Sequence, residues 1–327
     1  MKISVDALNS VDKDKVYALL LHAQYGKFNL WPNATDKNIA DFLLDEIYKM
    51  QAQGGGVLLA RRGREITAIA AFRDLEWDTQ HFGFKCAKIE YILTDQRLEI
   101  FTIGQSLDKI LSEFQKFCIK SRTKFVCVSV DSRDANINSA LQRVNYHYIL
   151  TWIDGVFNSS GSIPKIKDNT KISTAIKPEE IEFFKRISTR SYFKGGRFYL
   201  DSNFNRQRVD DMYANQINFA GKNNDLAFVY RVKNHPAGLF TYRKIASYKH
   251  FSNLQVATGR FLVVDPKFRT KNVGYNLFAK TLEYFQDKTD LVATGLEVHN
   301  LPSLNLHAKL GFKFNYSHNV YHWWRGK

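Results

Sequence analysis

One order of elements runs through this chain twice. A strand pattern over Lys88–Leu93 is followed by Asp95, then Gly104 and a helical pattern over Leu107–Phe117; Asp265 leads to Gly274 at the same spacing, 170 residues later. The next strand and helix, Phe125–Val130 and on to Val144, match Leu291–Val298 and the segment to Leu310. Both passes end on an aromatic strand, Tyr148–Ile153 and Tyr321–Trp324, and both are preceded by a hairpin pattern, Val57–Ala60 with Ile66–Phe72 and Leu226–Arg231 with Ala237–Tyr242. A repeat of this length predicts two copies of one α/β unit, each with a mixed sheet. The polar segment Asn158–Thr170, with Gly161 and Pro164, reads as the join, so the expected domains are 1–158 and 171–327 with a linker over 159–170. Residues 11–24 and 36–52 carry helical apolar spacing ahead of the first copy. Pro178 opens a helix expected to reach about Thr189, and an amphipathic helix is expected to end near Phe219.

At 327 residues there is room for two substantial cores, and 44% hydrophobic with 24% charged content excludes a disordered or fibrous chain. No apolar run is long enough to cross a bilayer, and MKISVDALNSVDKDK has no apolar secretory core. Cys86, Cys118 and Cys127 show no metal-ligand spacing; they read as reduced thiols in a cytoplasmic protein that carries no metal. The net charge of +15 is lopsided. From Gly161 onward there are 27 Lys and Arg against 13 Asp and Glu, and before it 20 against 19. The second half therefore suits anionic partners, either a nucleic acid or phosphate-bearing small molecules.

The two copies differ at one turn. Phe261–Val264 reads as a buried strand, Asp265-Pro266 breaks it, and from Val273 apolar residues fall on one helical face. Between them lie Arg269, Thr270, Lys271 and Asn272. Such a strand–turn–helix presents unpaired backbone N–H groups and the positive end of a helix dipole to a pyrophosphate. The first copy has Glu99, Ile100, Phe101 and Thr102 there, which are poor company for phosphate, so only the second copy is expected to bind a cofactor.

The run Arg269-Thr270-Lys271-Asn272-Val273-Gly274 resembles the acetyl-CoA signature of the GNAT acetyltransferases, R/Q-x-x-G-x-G/A, with Asn272 in place of the first glycine. Asn accepts a left-handed backbone better than most residues, which suits that exchange. Val298–Phe312, with Asn300, Ser303, Leu306, Lys309, Gly311 and Phe312, resembles a second GNAT pattern, N-x-x-A/S-x-x-L-Y-x-K-x-G-F. The resemblance implies a tandem GNAT fold, α/β with a degenerate N-terminal copy, and acetyl-CoA as co-substrate. It also implies that the strands ending at Val264 and Val298 splay around the pantetheine arm. N–H groups of Leu262, Val263 and Val264 would hold the thioester oxygen. Asn300 and Ser303 would meet the pantetheine, and Val273 and Gly274 the phosphates. His307 replaces the tyrosine that protonates the departing thiolate; an imidazolium there is the corresponding acid, and a packed or phosphate-binding histidine is the plainer alternative. Glu297 and His299 alternate on one strand face as candidates to take the amine proton, with a paired strand carboxylate the plainer reading of Glu297.

Two further segments, WDTQHFGF (Trp77–Phe84), read as an aromatic loop, and RFYLDSNF (Arg197–Phe204), narrow the resemblance to dTDP-fucosamine acetyltransferases and related nucleotide-amino-sugar N-acetyltransferases of surface-polysaccharide assembly. That implies a nucleotide-diphosphate amino sugar as partner, with Trp77, Phe82 and Tyr199 facing rings, Arg197 on a phosphate, and Asp78 or Asp201 orienting the sugar. A membrane partner is not expected, nucleic acid is disfavoured, and a homodimer stays open. The rival readings are a tandem-GNAT transferase dependent on aminoacyl-tRNA and a nucleic-acid-binding relic without activity.

Overall fold

The computed structural model describes residues 2–9, 12–166, 171–191, 194–218, 220 and 225–326. Phe219, the last four residues of the expected linker, and positions 192 and 193 lie outside them. The chain forms two compact units, residues 1–152 with 316–327, and residues 153–315. The C-terminal strand thus completes the first unit, although the sequence halves assigned it to the second. The expected linker is not free either. Ser159 is buried, its N–H donates to the Asp290 carbonyl and its hydroxyl meets that of Thr289, while Ile163 and Ile166 pack on the second core.

In the first unit the strands are β1 (Ile3–Ala7), β2 (Gly56–Arg62), β3 (Glu65–Asp74), β4 (Cys86–Thr94), β5 (Phe125–Asp131), β6 (His147–Asn158, which runs on into the second unit) and, as the last element of the whole chain, β13 (Lys313–Trp324). β1 to β4 pair antiparallel in sequence order, β4 and β5 pair parallel, and β13 pairs antiparallel with β5. The helices are α1 (Lys13–Leu20), α2 (Asp36–Ala52), α3 (Glu76–Phe82), α4 (Ile100–Lys120) and α5 (Ala135–Arg143). α4 packs Ile103, Leu107, Ile110, Leu111, Phe114 and Cys118 into the core at helical spacing. The segment read as an aromatic loop is α3, ended by Gly83 in the left-handed conformation that a helix stop requires.

The second unit repeats the plan with β7 (Lys171–Ser173), β8 (Leu226–Val232), β9 (His235–Tyr242), β10 (Ala246–Tyr248), β11 (Leu254–Val264) and β12 (Leu291–Glu297). β7, β8, β9 and β11 pair antiparallel, β10 adds to β11, and β11 and β12 are parallel. The helices are α6 (Pro178–Ser191), α7 (Arg197–Leu200), α8 (Arg206–Ile217), α9 (Val273–Phe285) and α10 (Leu301–Lys309). α9 buries Val273, Leu277, Phe278, Leu282 and Phe285 against Phe240 and Tyr242 of β9. Gly238 sets how close this helix comes: a Cβ there would lie 2.8 Å from both Leu277 and Val273. Because Gly238 is the register partner of Val264, the first turn of α9 is seated at the end of β11.

Candidate active site

β11 and β12 hold together only over Val256–Thr258 and Leu291–Ala293. Past that point β11 keeps β9 as partner on one edge, with a bulge that leaves Arg260 out of register between Gly259 and Phe261. A bulge bends and twists its strand, and here the two strands part. Groups of Gly259–Val264 that point away from β9 therefore face a gap, with Thr294–Glu297 of β12 on its far side. Of the three N–H groups expected to meet an acyl oxygen, those of Leu262 and Val264 border this gap, whereas the register that has Asp265 N–H donating to Ala237 turns the Val263 N–H toward β9.

The turn that follows is fixed by Asp265. It is buried, its N–H donates to the Ala237 carbonyl, and its carboxylate accepts from the Lys267 N–H and from His235 Nε2. Thr270 and Asn272 then take left-handed conformations, φ 66° and 58°. For Asn272 this is the expected substitution for glycine. For Thr270, a β-branched residue, it is costly, roughly 1–3 kcal/mol, and such strain gathers where a loop must hold a ligand. The first hydrogen bond of α9 is Asn276 N–H to the Asn272 carbonyl, and no side chain caps the end. The N–H groups of Val273, Gly274 and Tyr275 precede it, and together they form an anion-binding terminus. The exposed Arg269 and Lys271 lie in the turn, and Lys309 of α10 reaches to 5.8 Å from the Tyr275 ring. Gly274 does not need positive φ. Its missing side chain keeps space between Val264 and Leu306, where a Cβ would lie 4.0 and 3.4 Å away. The donor set fits the diphosphate and pantetheine of coenzyme A.

At the far side of the gap His307 does not match an imidazolium. It is 3% exposed, its ring lies among Phe278, Phe312 and Phe314, and burial lowers its pKa to about 4 despite the Ser303 carbonyl. Its Nδ1–H donates to that carbonyl at 2.7 Å, which leaves Nε2 to accept from the Thr294 hydroxyl at 3.1 Å. Near neutral pH the ring is uncharged. Thr294, one position beyond the last β11–β12 rung, is a residue sequence reasoning missed, since a threonine in a strand carries no signal.

Glu297, by contrast, is buried at the end of β12, and burial raises its pKa more than Asn300 and His299 lower it. The Asn300 side chain bonds to this carboxylate, so it does not wait free for a ligand. Tyr213 of α8 stands close by: a Cβ placed on Gly196 would lie 2.5 Å from the Tyr213 hydroxyl and 3.5 Å from Glu297 Oε1. Two consecutive glycines let the backbone run over the carboxylate, and His299 Nε2 ties the Gly195 carbonyl down at 3.2 Å. Tyr213 carried no mark in the sequence beyond a helical apolar face.

The residues expected to meet a sugar fare unequally. Tyr199 is buried, stacked on Tyr213 at 5.0 Å, and donates to Asp210 at 2.6 Å; Asp201 is buried and caps its own turn through the Asn203 N–H. Tyr199 thereby holds α7 on α8, while Asp201 fixes the turn between them. Arg197 is partly exposed, with its guanidinium 4.3 Å from the Phe198 ring centre. Trp77, Asp78 and Phe82 lie on α3 in the first unit. Phe82 is buried beside Phe84, Asp78 is half-buried, and Trp77 is exposed and stacked on His81 at 4.9 Å. Among the described residues no helix is long and apolar enough to cross a membrane, and no group of three or more His, Cys, Asp or Glu is placed to hold a metal.

Residues 189–312 match the sequence profile described as the acetyltransferase (GNAT) family. The spore coat polysaccharide biosynthesis protein SpsD of Bacillus subtilis (strain 168) is 21% identical over 267 residues, 80% of this chain and 86% of SpsD. Among solved structures, a tandem GNAT protein from the clavulanic acid biosynthesis pathway aligns with 100% of this chain and 99% of its own, at TM-score 0.54 and 15% identity. A GCN5-related N-acetyltransferase from Sphaerobacter thermophilus aligns over 98% and 95%, at TM-score 0.59 and 9% identity.

Proposed function

We propose that this chain, a tandem-fold acetyltransferase of the GNAT superfamily, carries acetyl from acetyl-CoA to the amine of a nucleotide-linked amino sugar used in building a surface polysaccharide. The observation that carries the reading is the parting of β11 from β12 after Thr258 and Ala293, which leads into the bare N-terminus of α9. The polysaccharide part rests on the relationship to SpsD and on the motif resemblance.

Acetyl-CoA supplies the electrophile, a thioester carbonyl. Arg269, Thr270, Lys271, Asn272, Val273 and Gly274 hold the diphosphate through backbone N–H groups and charge, with Lys309 adding a cation beside the first turn. Leu262 and Val264 offer N–H groups to the acyl oxygen, fixed in place by the pairing of Val263 with β9 on the other edge. Asn300 and Ser303 line the opposite side. Glu297, with its raised pKa, takes a proton from the substrate's ammonium, and Tyr213 borders the same spot; the neutral amine then forms its bond to the thioester carbon as the C–S bond breaks, and coenzyme A leaves as a thiolate that takes its proton from water. His307 remains neutral and orients the Thr294 hydroxyl, whose oxygen is left to accept a hydrogen bond from the gap. Arg197 is a cation of the second unit suited to a phosphate of the sugar nucleotide.

The test is thiol release from acetyl-CoA across dTDP- and UDP-linked amino sugars. Release that depends on one of these amines is expected, and the acylated product should carry the acetyl on nitrogen. No release with any member of the panel, or release indifferent to the sugar, counts against the proposal.

A further inference from the structure

The buried acid of the second unit lies under a strap of its own chain, and we propose that this strap, Gly195–Gly196, is a gate latched by His299 that lifts to admit the acceptor amine. The gate deepens the acetyl-transfer reading and rests on it for what is admitted.

The first unit carries the same crossing in a locked form. β4 and β5 pair only from Cys86–Phe125 to Ile89–Val128. Tyr91 lies opposite Ala71 and Ile89 opposite Phe72, so Glu90 is bulged out of register, the station that Arg260 holds in β11. Counting along the paired rungs, Cys86 matches Val256 and Phe125 matches Leu291. Asp131 then takes the place of Glu297 and Arg133 that of His299, while Asp134, the N-cap of α5, falls on Asn300, the N-cap of α10. At the separation that carries Cys86 onto Val256, Gly26-Lys27-Phe28-Asn29-Leu30 falls on Gly196-Arg197-Phe198-Tyr199-Leu200, a Gly-basic-Phe-x-Leu run in both copies. Each run makes one short helical turn with its phenylalanine buried, Gly26–Phe28 in the first unit and α7 in the second.

In both units the glycine of this run crosses over the carboxylate. The Arg133 guanidinium forks onto Asp131, Nε to Oδ1 at 3.1 Å and Nη2 to Oδ2 at 2.9 Å, and Gly26 lies against the pair. A Cβ there would run into Arg133 Nη2 and stand 3.0 Å from Asp131 Oδ2. Tyr25, beside it, meets Tyr91 edge to face at 6.1 Å, and the parting of β4 from β5 is reduced to a cavity of about 20 Å³, room for one water. In the second unit a Cβ on Gly196 would stand 3.5 Å from Glu297 Oε1. Here the tie is weaker. At the station of Arg133 the exposed His299 donates from Nε2 to the Gly195 carbonyl at 3.2 Å, one hydrogen bond in place of a charged fork. Two consecutive glycines give the strap freedom to swing, while Tyr199, bonded to Asp210 and stacked on Tyr213, keeps α7 in place behind it. With the strap down, Gly196 and the Asn300 side chain close off a carboxylate that is 5% exposed, and an amine reaches it once the strap lifts.

The experiment is hydrogen–deuterium exchange of the full chain read by mass spectrometry, with thiol release measured on the same proteins. The Tyr199 and Leu200 amides donate to the Gly196 carbonyl and are freed when the strap lifts; the Asn29 amide, which donates to Gly26, is the locked reference. His299→Ala should speed exchange at 199 and 200 about fivefold, the factor that one neutral hydrogen bond carries, and leave residue 29 unchanged. His299→Gln, which can still donate to the carbonyl, should return exchange to the parent rate. In His299→Ala kcat/KM for the amine should rise by the same factor, because a larger fraction of molecules is open, while KM for acetyl-CoA stays as it was. The proposal is overturned if exchange at 199 and 200 does not change in His299→Ala, if residue 29 speeds up equally, if glutamine fails to restore the parent rate, or if kcat/KM for the amine does not rise. A parent that releases no thiol with any amine counts instead against the acetyl-transfer reading, and exchange alone then decides the latch.

Discussion

Replacing His307 with phenylalanine separates a buried neutral ring from a proton donor. The folded pKa is about 4, below the ordinary histidine value, because burial disfavours the charged ring. The stability it contributes is therefore present above the unfolded pKa of about 6.5 and lost as pH falls from there toward 4: the unfolded chain takes up a proton that the folded chain refuses. Between pH 7.5 and 5 this one group costs about 2 kcal/mol, from RT ln of the ratio of the two binding polynomials. His318, in the first unit, is lowered to about 4 in the same direction and is present in both proteins, so it cancels in the difference. His307→Phe also strands the Ser303 carbonyl and the Thr294 hydroxyl, so at pH 7.5 it should be less stable by about 1–3 kcal/mol. The two proteins should then converge at pH 5. The assay is exchange of the slowest amides in α9 and β12 at the two pH values. Parallel losses, with the gap between the proteins changing by under about 0.5 kcal/mol, would refute a neutral buried ring and restore the imidazolium acid.

Glu297→Gln should lower kcat by about 10²–10⁴-fold, leave the KM for acetyl-CoA unchanged, and remove the acid limb that a raised carboxyl pKa places in the pH–rate profile. Asn272→Gly keeps φ 58° accessible and should hold or slightly raise the melting temperature; Asn272→Val should cost about 1–2 kcal/mol and weaken coenzyme A binding in calorimetry. Gly238→Ala forces a Cβ into Leu277 and Val273, so about 1–3 kcal/mol of stability and part of the coenzyme affinity should be lost together. Gly196→Ala should slow turnover with little effect on coenzyme affinity, because its Cβ would meet the Tyr213 hydroxyl beside Glu297.

The repeat was legible because each element declares itself within a few residues: α2 begins and ends where its apolar spacing does, and the turn before α9 advertises its basic side chains and its unusual Asn272. Features set by distant partners were not. The bulges at Glu90 and Arg260 depend on how a strand registers against one many residues earlier, and no local pattern records that. The ionisation of His307 depends on Phe278, 29 positions before it, as well as on the nearer Phe312 and Phe314. A motif position tells which residue type is there, while the charge it carries is set by what packs on it. The partners of Tyr199 and Asp201 were hidden for the same reason: their types suit a sugar, and the structure pairs them with Asp210 and the Asn203 N–H.

Comparing the two openings station by station explains which parts of such a unit are free to change. Both keep the parallel rungs, the bulge and the parting, because these follow from backbone register and cost the sheet nothing more once the core is packed. What differs is carried by side chains on the rim. Glu90 stands for Arg260, Asp131 for Glu297, Leu141 for His307, and Glu99 with Ile100 and Phe101 for the basic turn before α9. Two of these exchanges alter buried volume, Asp131 for Glu297 and Leu141 for His307, and in both each side chain is buried in its own unit. A gap opened by the backbone therefore tolerates exchange of the side chains around it. The strands cannot close over it without shifting the register that sets the whole apolar face, so new side chains on the rim can give the space a different occupant while the fold stays as it was.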